Sequence, residues 1–443
     1  MKCCRSWRSM CCRISRPDGM IMHQRTFRLH GRCRHRIQQG RTTSKPTWEV
    51  IMRAEKSYPI KTNPMRSSRN KIQLGVFSTN TEGGCTVTNA PERLRGDDWA
   101  GNLEIARVAD DAGFEAFIPV GRWKGFGGTN NTGGVCFETY TWAAGIAALT
   151  NQIAVFTTSH LPTVHPLFAA KQAVTIDHIS GGRFGLNILC GWYGAEMRMF
   201  SGHMMEHDKR YDYAEEWLHI AKNAWEQQTP FDFKGEYFTI CDAISQPQPL
   251  NTPYLINAGG SPRGKRFCAE HCDAAFLIIK HLDGEEAVRQ QIASYKDLAR
   301  QEFGRDIKIW CYGYVVQKDT QEQADAYLDY YATEMGDDEG CDIITGELGI
   351  QTGIFTPEDA VRFRFHFKAG FAGVPLVGTP EQIVELFKKY ADWGIDGIAL
   401  TWLDYHEGIK DFVRETLPLM EQAGLREALN VEAITSGVAA EVA

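Results

Sequence analysis

Residues 173–192 read Ala173-Val-Thr-Ile-Asp-His-Ile-Ser-Gly-Gly-Arg-Phe-Gly-Leu-Asn-Ile-Leu-Cys-Gly-Trp192, and they pass from a helix through a glycine turn into a short buried strand. The apolar spacing from Ala169 to Ile179 is helical, and Ser180-Gly-Gly182 stops it with residues that tolerate positive φ. Phe184 to Leu189 is too short and too apolar for anything but an interior strand. Asn187 is the anomaly in it. A buried amide needs hydrogen-bond partners, so this one either satisfies neighbouring backbone or faces a ligand. Glu196 and the polar run from Glu206 to Tyr211 follow, so ionisable groups are set just beyond the strand's end.

Outward from this stretch, short apolar strands alternate with longer amphipathic helices from Lys71 onward, the pattern of a parallel α/β architecture. Strands are predicted at 72–77, 114–120, 153–159, 184–189, 254–258, 275–279, 307–316 and 397–402, and helices at 98–112, 138–149 and 210–225. Eight strands is the count of a TIM (β/α)8 barrel, here with insertions. Residues 231–239 read as a β-hairpin turning at Gly235, and the glycine-rich stretch 336–374 as an insertion, either a lid or a disordered segment. No GxGxxG follows the first strand and there is no Walker loop. Gly125-Phe-Gly-Gly128 with Gly133-Gly134 is only a mobile glycine loop, which leaves the barrel ahead of a dinucleotide fold.

Hydrophobic residues make up 43% of the 443, ample for a core, and no run approaches the roughly 18 apolar residues of a membrane span. The net charge of -7 is unevenly spread: residues 1–70 hold 17 lysines and arginines against 3 acids, so the remainder is strongly acidic. That argues against a nucleic-acid partner, whose phosphates need a basic surface. Residues 1–70, with Cys3-Cys4, Cys11-Cys12 and Cys33, read as a disordered extension or as sequence upstream of a true start near Met52 or Met65. A transit peptide and a functional arm are the other readings. The folded unit is then 71–425, with a flexible tail at 426–443. The other eight cysteines lie scattered, mostly in or beside apolar runs, as reduced cytoplasmic thiols do. Cys268 and Cys272 are spaced for a helix with no second pair, which fits core packing and no metal.

In a barrel, active groups lie at the carboxyl ends of strands, and Thr157-Thr158, Asn187, Ser261 and Trp402 fall near such ends. Arg210-Tyr211 opens a helix with Asp208 as a plausible cap. A helix amino terminus, a guanidinium and a phenol suit a phosphate, unless Arg210 merely pairs with Glu206 or Glu215. Asn257-Ala-Gly-Gly-Ser261 lets backbone amides approach an anion, or is an ordinary strand-to-helix turn. Residues 362–368 alternate cations and aromatics, as a half-buried edge strand or a flap over a polar substrate would. His406 and Glu407 are further candidates for the mouth.

Four motifs in this order and spacing, Gly125-Phe-Gly-Gly128, Thr175-Ile-Asp-His-Ile-Ser-Gly-Gly-Arg183, Asn187 with Gly191-Trp192, and His207-Asp-Lys-Arg-Tyr211, resemble the bacterial luciferase-like superfamily. The resemblance spans about residues 72–425 and falls in the branch of two-component monooxygenases that includes pyrimidine, dimethyl sulfone and alkanesulfonate monooxygenases. It implies a luciferase-like TIM barrel, with FMN held at Val120, Gly121, Asn187, Glu196, Arg210, Tyr211, Gly260 and Ser261, the first two through backbone alone. It further implies that Thr158 and Asn187 are catalytic, hydrogen-bonding a peroxyflavin that forms from reduced FMN and O2. NAD(P)H would act only through a separate flavin reductase, and the enzyme would be a cytoplasmic homodimer or homotetramer. His160, where relatives carry a small apolar residue, and Arg122-Trp123 depart from the pattern on the substrate side. His160, Trp402 and Arg364 are the substrate candidates. The substrate stays open among pyrimidines, sulfones, sulfonates and other small heteroatom compounds. Two other readings of the same barrel are deazaflavin-dependent hydride transfer and flavin binding without turnover.

Overall fold

The computed structural model describes residues 61–201, 203–349 and 356–427. Its strands are β1 Gln73–Phe77, β2 Ala116–Ile118, β3 Ala154–His160, β4 Phe184–Leu189, β5 Phe231–Lys234, β6 Thr239–Ala243, β7 Tyr254–Asn257, β8 Ala274–Leu277, β9 Lys308–Gln317, β10 Val374–Gly378 and β11 Gly397–Thr401. Eight of them, in the order β1-β2-β3-β4-β7-β8-β9-β11 and back to β1, close a parallel barrel. Each predicted strand is among these eight. β5 and β6 form the separate antiparallel hairpin. Gly181, at φ 71°, ends the helix Pro166–Ser180 in the left-handed conformation that the glycine turn implied.

Alternation along the strands sorts the core. Ala116, Ile118, Ala154, Phe156, Tyr254, Ile256, Ala274, Phe276, Trp310, Tyr312 and Ala399 fill the lumen. Their neighbours Phe117, Val155, Leu255, Ala275, Ile309 and Ile398 pack outward with the helices. The Trp310 indole fits inside because β1 and β11 face it with glycines. A Cβ on Gly75 would come within 3.2 Å of that ring and one on Gly397 within 2.2 Å.

Three boundaries differ from the sequence expectation. Residues 61–70, assigned to the extension, belong to the barrel. Asn63 caps the short helix Pro64–Ser67 and donates to the Phe184 carbonyl (3.1 Å), and Met65 is fully buried in the lumen cluster. Arg426, assigned to the tail, is tied by Nη1 to Glu115 at 2.8 Å. Residues 1–60 and 428–443 lie outside the described residues. The stretch 336–374 contains two helices, Asp338–Glu347 and Pro357–Gly370. The aromatic-cation alternation of 362–368 is helical because a two-residue repeat also recurs every four residues. It brings Phe363 and Phe367 together, while Thr356 and Pro357 start the helix.

β10 is a ninth strand of the sheet that the sequence reading missed. β11 holds one edge of β9 along residues 310–314. The other edge is taken by β8 at 308–311 and then by β10 at 313–317. Among the described residues no helix is long and apolar enough to cross a membrane.

Candidate active site

The carboxyl ends of β3 and β4 place Thr158 directly opposite Asn187. Both follow lumen positions by two residues, so their side chains turn inward. Asn187 Nδ2 donates to Thr158 Oγ1 at 3.1 Å, and Thr158 Oγ1 donates to the Pro119 carbonyl at 2.5 Å. The direction of this chain is forced. A carbonyl only accepts, so the threonine hydrogen goes to Pro119, and its oxygen must receive the Asn187 amide. Asn187 Oδ1 is left buried with no partner. In this structure the Thr158 hydrogen is engaged by Pro119, and the hydroxyl oxygen orients Asn187.

Two residues further on, His160 is 2% exposed and its Nε2 lies 3.0 Å from the Gly121 carbonyl. Nδ1 has no partner. Burial pulls the imidazole pKa down to about 4, with Glu196 opposing and Arg122 assisting. A Cβ on Gly121 would lie 3.0 Å from His160 Cδ2 and 3.1 Å from Thr158 Cγ2, so the glycine makes room for both. The Val120 backbone is engaged by Asn80. Its N–H donates to Asn80 Oδ1 and its carbonyl accepts from Asn80 Nδ2, both at 2.8 Å. Sequence reasoning missed Asn80, although a polar residue three positions past the end of β1 was a usable signal.

Glu196 is fully buried. Its Oε1 receives Arg122 Nη1 (3.1 Å), Trp123 N–H (2.7 Å) and Lys124 N–H (3.2 Å), so it pins the loop after β2. The Arg122 guanidinium also stacks 4.3 Å from the Phe126 ring centre and 5.0 Å from that of Trp192. Burial lowers its pKa against the pull of Glu196. Glu196 Oε2 and Arg122 Nε have no partner.

Arg210 and Tyr211 open the helix His207–Glu226, whose cap is Glu206 rather than the expected Asp208: its carboxylate accepts from the N–H groups of Asp208 and Lys209. Arg210 Nη1 donates to the Gly191 carbonyl at 2.6 Å, while Glu215 is taken by Arg263 at 2.7 Å. Arg210 Nε is unpartnered. Tyr211 hydrogen-bonds Ser261, and burial pushes its phenol up to about 12. Ser261 in turn caps the helix Pro262–His271 by accepting from Gly264 N–H at 3.1 Å. A Cβ on Gly264 would lie 2.3 Å from the Tyr211 oxygen, whereas one on Gly260 would meet nothing within 4 Å. Asn257 joins β7 to β4 through the Ile188 carbonyl (2.7 Å) and accepts from Gly259 N–H (2.8 Å). Two helix amino termini, a phenol and a guanidinium thus surround one open glycine corner.

The remaining candidates lie elsewhere. Trp402 continues the outward face of β11 after Ile398 and Leu400 and packs on Tyr405 and Phe412, outside the barrel. Arg364 bridges Asp338 (3.0 Å) and Asp342, clamping the two helices of the insertion together. His406 stands 3.5 Å from Glu104 on an outer helix. The eight cysteines among the described residues are unpaired, and Cys268 and Cys272 are core residues.

Asn187 Oδ1, His160 Nδ1, Glu196 Oε2, Arg122 Nε and Arg210 Nε are therefore buried polar atoms without partners, all in segments that converge at the carboxyl ends of β2 to β4. Each such group costs about 1–3 kcal/mol when nothing pairs with it; others stand elsewhere, as at Trp402 Nε1 and His271 Nε2, and it is the grouping of five around adjacent strand ends that points to a ligand site. Two of these residues, His160 and Arg122, line a cavity of about 280 Å³ together with Gly121, Trp123, Tyr140, Thr158 and Phe168. A planar heterocycle with N–H and carbonyl edges, joined to a phosphate, fits this mixture of acceptors, cations and helix termini.

Known proteins share this layout. The family model described as Luciferase-like monooxygenase matches residues 72–397. The pyrimidine monooxygenase RutA of Enterobacter sp. (strain 638) is 30% identical over 364 residues, covering 79% of this chain and 96% of that protein. Among solved structures, riboflavin lyase RcaE, with modified FMN and riboflavin, aligns at a TM-score of 0.71 and 20% identity over 81% of this chain and 93% of its own. Long-chain alkane monooxygenase LadA aligns at 0.70 and 20% over 81% and 93%. At these identities the two structures speak for the fold, while the family match runs from β1 to the first residue of β11. The chain belongs to the luciferase-like monooxygenase family.

Proposed function

We propose that the protein is a monooxygenase that uses reduced FMN and O2 to place one oxygen atom on a small heteroatom-containing organic molecule. A separate NAD(P)H-dependent reductase supplies the reduced flavin. The observation that carries this reading is the set of unpartnered buried atoms at the ends of β2 to β4. Arg210, Tyr211, Ser261 and the open backbone at Gly260 would hold the FMN phosphate. Asn187 Oδ1 would accept an N–H of the flavin ring, held in place because Thr158 fixes the amide's other end. Glu196 serves through the loop it pins rather than by reaching the cofactor with Oε1. When bound, the reduced flavin supplies the electrons that activate O2.

Around that position the chain supplies a dry enclosure. Phe77, Phe276 and Tyr312 stack against one another in the lumen with centroid distances of 5.1 to 5.8 Å, which keeps water from the reacting atoms. The curated relatives are named as monooxygenases, which favours oxygen transfer over hydride transfer to a deazaflavin or storage of flavin. A cytoplasmic homodimer or homotetramer completes the reading.

The test supplies FMN, NAD(P)H and a generic flavin reductase under isotopically labelled O2, with uracil, dimethyl sulfone and small alkanesulfonates offered in turn. Label in an organic product is expected, with loss of that product in Asn187→Ala. Tight binding of reduced FMN with no label in any product would overturn oxygen transfer to these classes, and no binding of FMN would overturn the cofactor.

A further inference from the structure

His160 stands on the lumen face of β3, one two-residue step of about 6–7 Å beyond Thr158. One end of its ring is committed. The Gly121 carbonyl, 3.0 Å from Nε2, can only accept, so Nε2 carries the hydrogen and Nδ1 is a bare lone pair. That lone pair is buried and unpartnered. The ring stays neutral at physiological pH because burial depresses its pKa. Asn187 Oδ1, on the adjacent strand, is likewise an acceptor without a donor. The two strands therefore offer lone pairs, while Arg122 Nε, in the lining of the same cavity as His160, is a donor without a partner, so the wall suits a molecule that brings both an N–H and an acceptor oxygen.

We propose that His160 Nδ1 is a specificity-determining acceptor for the substrate, selecting small neutral molecules with an amide-type or ring N–H over analogues in which that hydrogen is replaced by methyl. The proposal rests on the monooxygenase reading above. Its position supports the assignment: His160 is nearer the rim than Asn187 and lines the cavity of about 280 Å³ together with Gly121, Trp123 and Phe168. The nearby Arg122 is matched by Glu196 through Nη1 at 3.1 Å, which leaves its Nε as the donor for a substrate oxygen. A site built to receive an N–H rejects the analogue lacking it strongly, because its buried acceptor is then left unpaired.

The experiment measures, by calorimetry on the FMN-loaded protein, the binding of matched pairs that differ by N-methylation: uracil and 1,3-dimethyluracil, succinimide and N-methylsuccinimide, 2-pyrrolidone and N-methylpyrrolidone. Wild-type protein is expected to favour the N–H member of at least one pair by about 100-fold. His160→Phe should bring the two members within about threefold, and His160→Asn, which keeps an acceptor, should restore part of the preference. The methylated ligands carry the test on wild-type protein even if His160→Phe does not fold. Equal binding within the pairs, failure to bind every N–H compound, or a variant that loses FMN while keeping the pairwise preference would overturn the assignment. Discrimination without label transfer from O2 would instead overturn the monooxygenase reading while leaving His160 as an N–H receptor.

Discussion

Asn187 and Thr158 face each other across two adjacent parallel strands, and the amide of the first is held by the hydroxyl of the second at 3.1 Å. Because the hydroxyl hydrogen is anchored on Pro119, the two side chains act as one unit. Asn187→Ala is expected to cut labelled product by about 10²–10³ fold, the usual effect of removing a preorganised polar group at a reacting centre. Thr158→Val should cost less, and the double variant little more than Asn187→Ala alone. Product formed per reduced flavin consumed is the readout. Multiplying losses in the double variant would show that the two residues act independently.

Gly264 and Gly260 give a matched contrast at the proposed phosphate corner. Alanine at 264 would put a methyl 2.3 Å from the Tyr211 oxygen, whereas alanine at 260 meets open space. Gly264→Ala should weaken FMN binding by about tenfold and destabilise the fold by about 1–3 kcal/mol. Gly260→Ala should leave the stability within about 0.5 kcal/mol. Fluorescence titration and urea unfolding of the two variants measure both effects; equal behaviour would remove Tyr211 from the site.

Removing Glu196 leaves the Arg122 guanidinium buried and without its counter-ion. Glu196→Ala is expected to cost about 3–5 kcal/mol, the usual penalty for breaking a buried pair from one side. Replacing both partners, as in Arg122→Met with Glu196→Gln, should recover much of it. Chemical denaturation checks this, and a loss below about 1 kcal/mol would mean that water reaches the pair.

His160, His271 and His366 are each held neutral, chiefly by burial, with pKa values near 4 against about 6.5 when unfolded. Below pH 6.5 the unfolded chain takes up protons that the folded chain refuses, so stability is lost as pH falls from about 6.5 toward 4. His160 alone contributes up to about 3 kcal/mol to this slope. Urea midpoints from pH 7.5 to 4.5 should fall steadily, and His160→Phe should flatten the curve. An unchanged slope in that variant would place water against the ring.

The barrel was legible because its strands are apolar runs bounded by turn residues, and the glycine turn at 181 and 182 announces one of them. β10 was hidden because Val374-Pro-Leu-Val-Gly378 adjoins a glycine-rich stretch and contains a proline. The placing of Asn187 at the end of a buried strand and of Tyr211 beside Ser261 was readable from strand ends and helix starts. The loop pinning by Glu196 and the closure of Val120 by Asn80 were not, since both depend on segments more than 35 residues apart in sequence. Trp402 was misplaced by a single step of strand parity: one residue earlier, Thr401 continues the inward face of Gly397 and Ala399. Arg364 misled because aromatic-cation alternation fits a strand and a helix equally well.

β9 carries two partners on one edge, β8 below and β10 above. Closure of the ring is thus finished at the lower level before β10 docks. The excursion that runs out from the end of β9 and returns as β10 is stitched at both ends to the same strand, like a patch sewn along one seam. Its last helix, Pro357–Gly370, leans on the same strand again, where Tyr314 meets His366 and Tyr312 donates to the Phe371 carbonyl. A change in that patch is therefore felt by the barrel through one stave, β9, first of all.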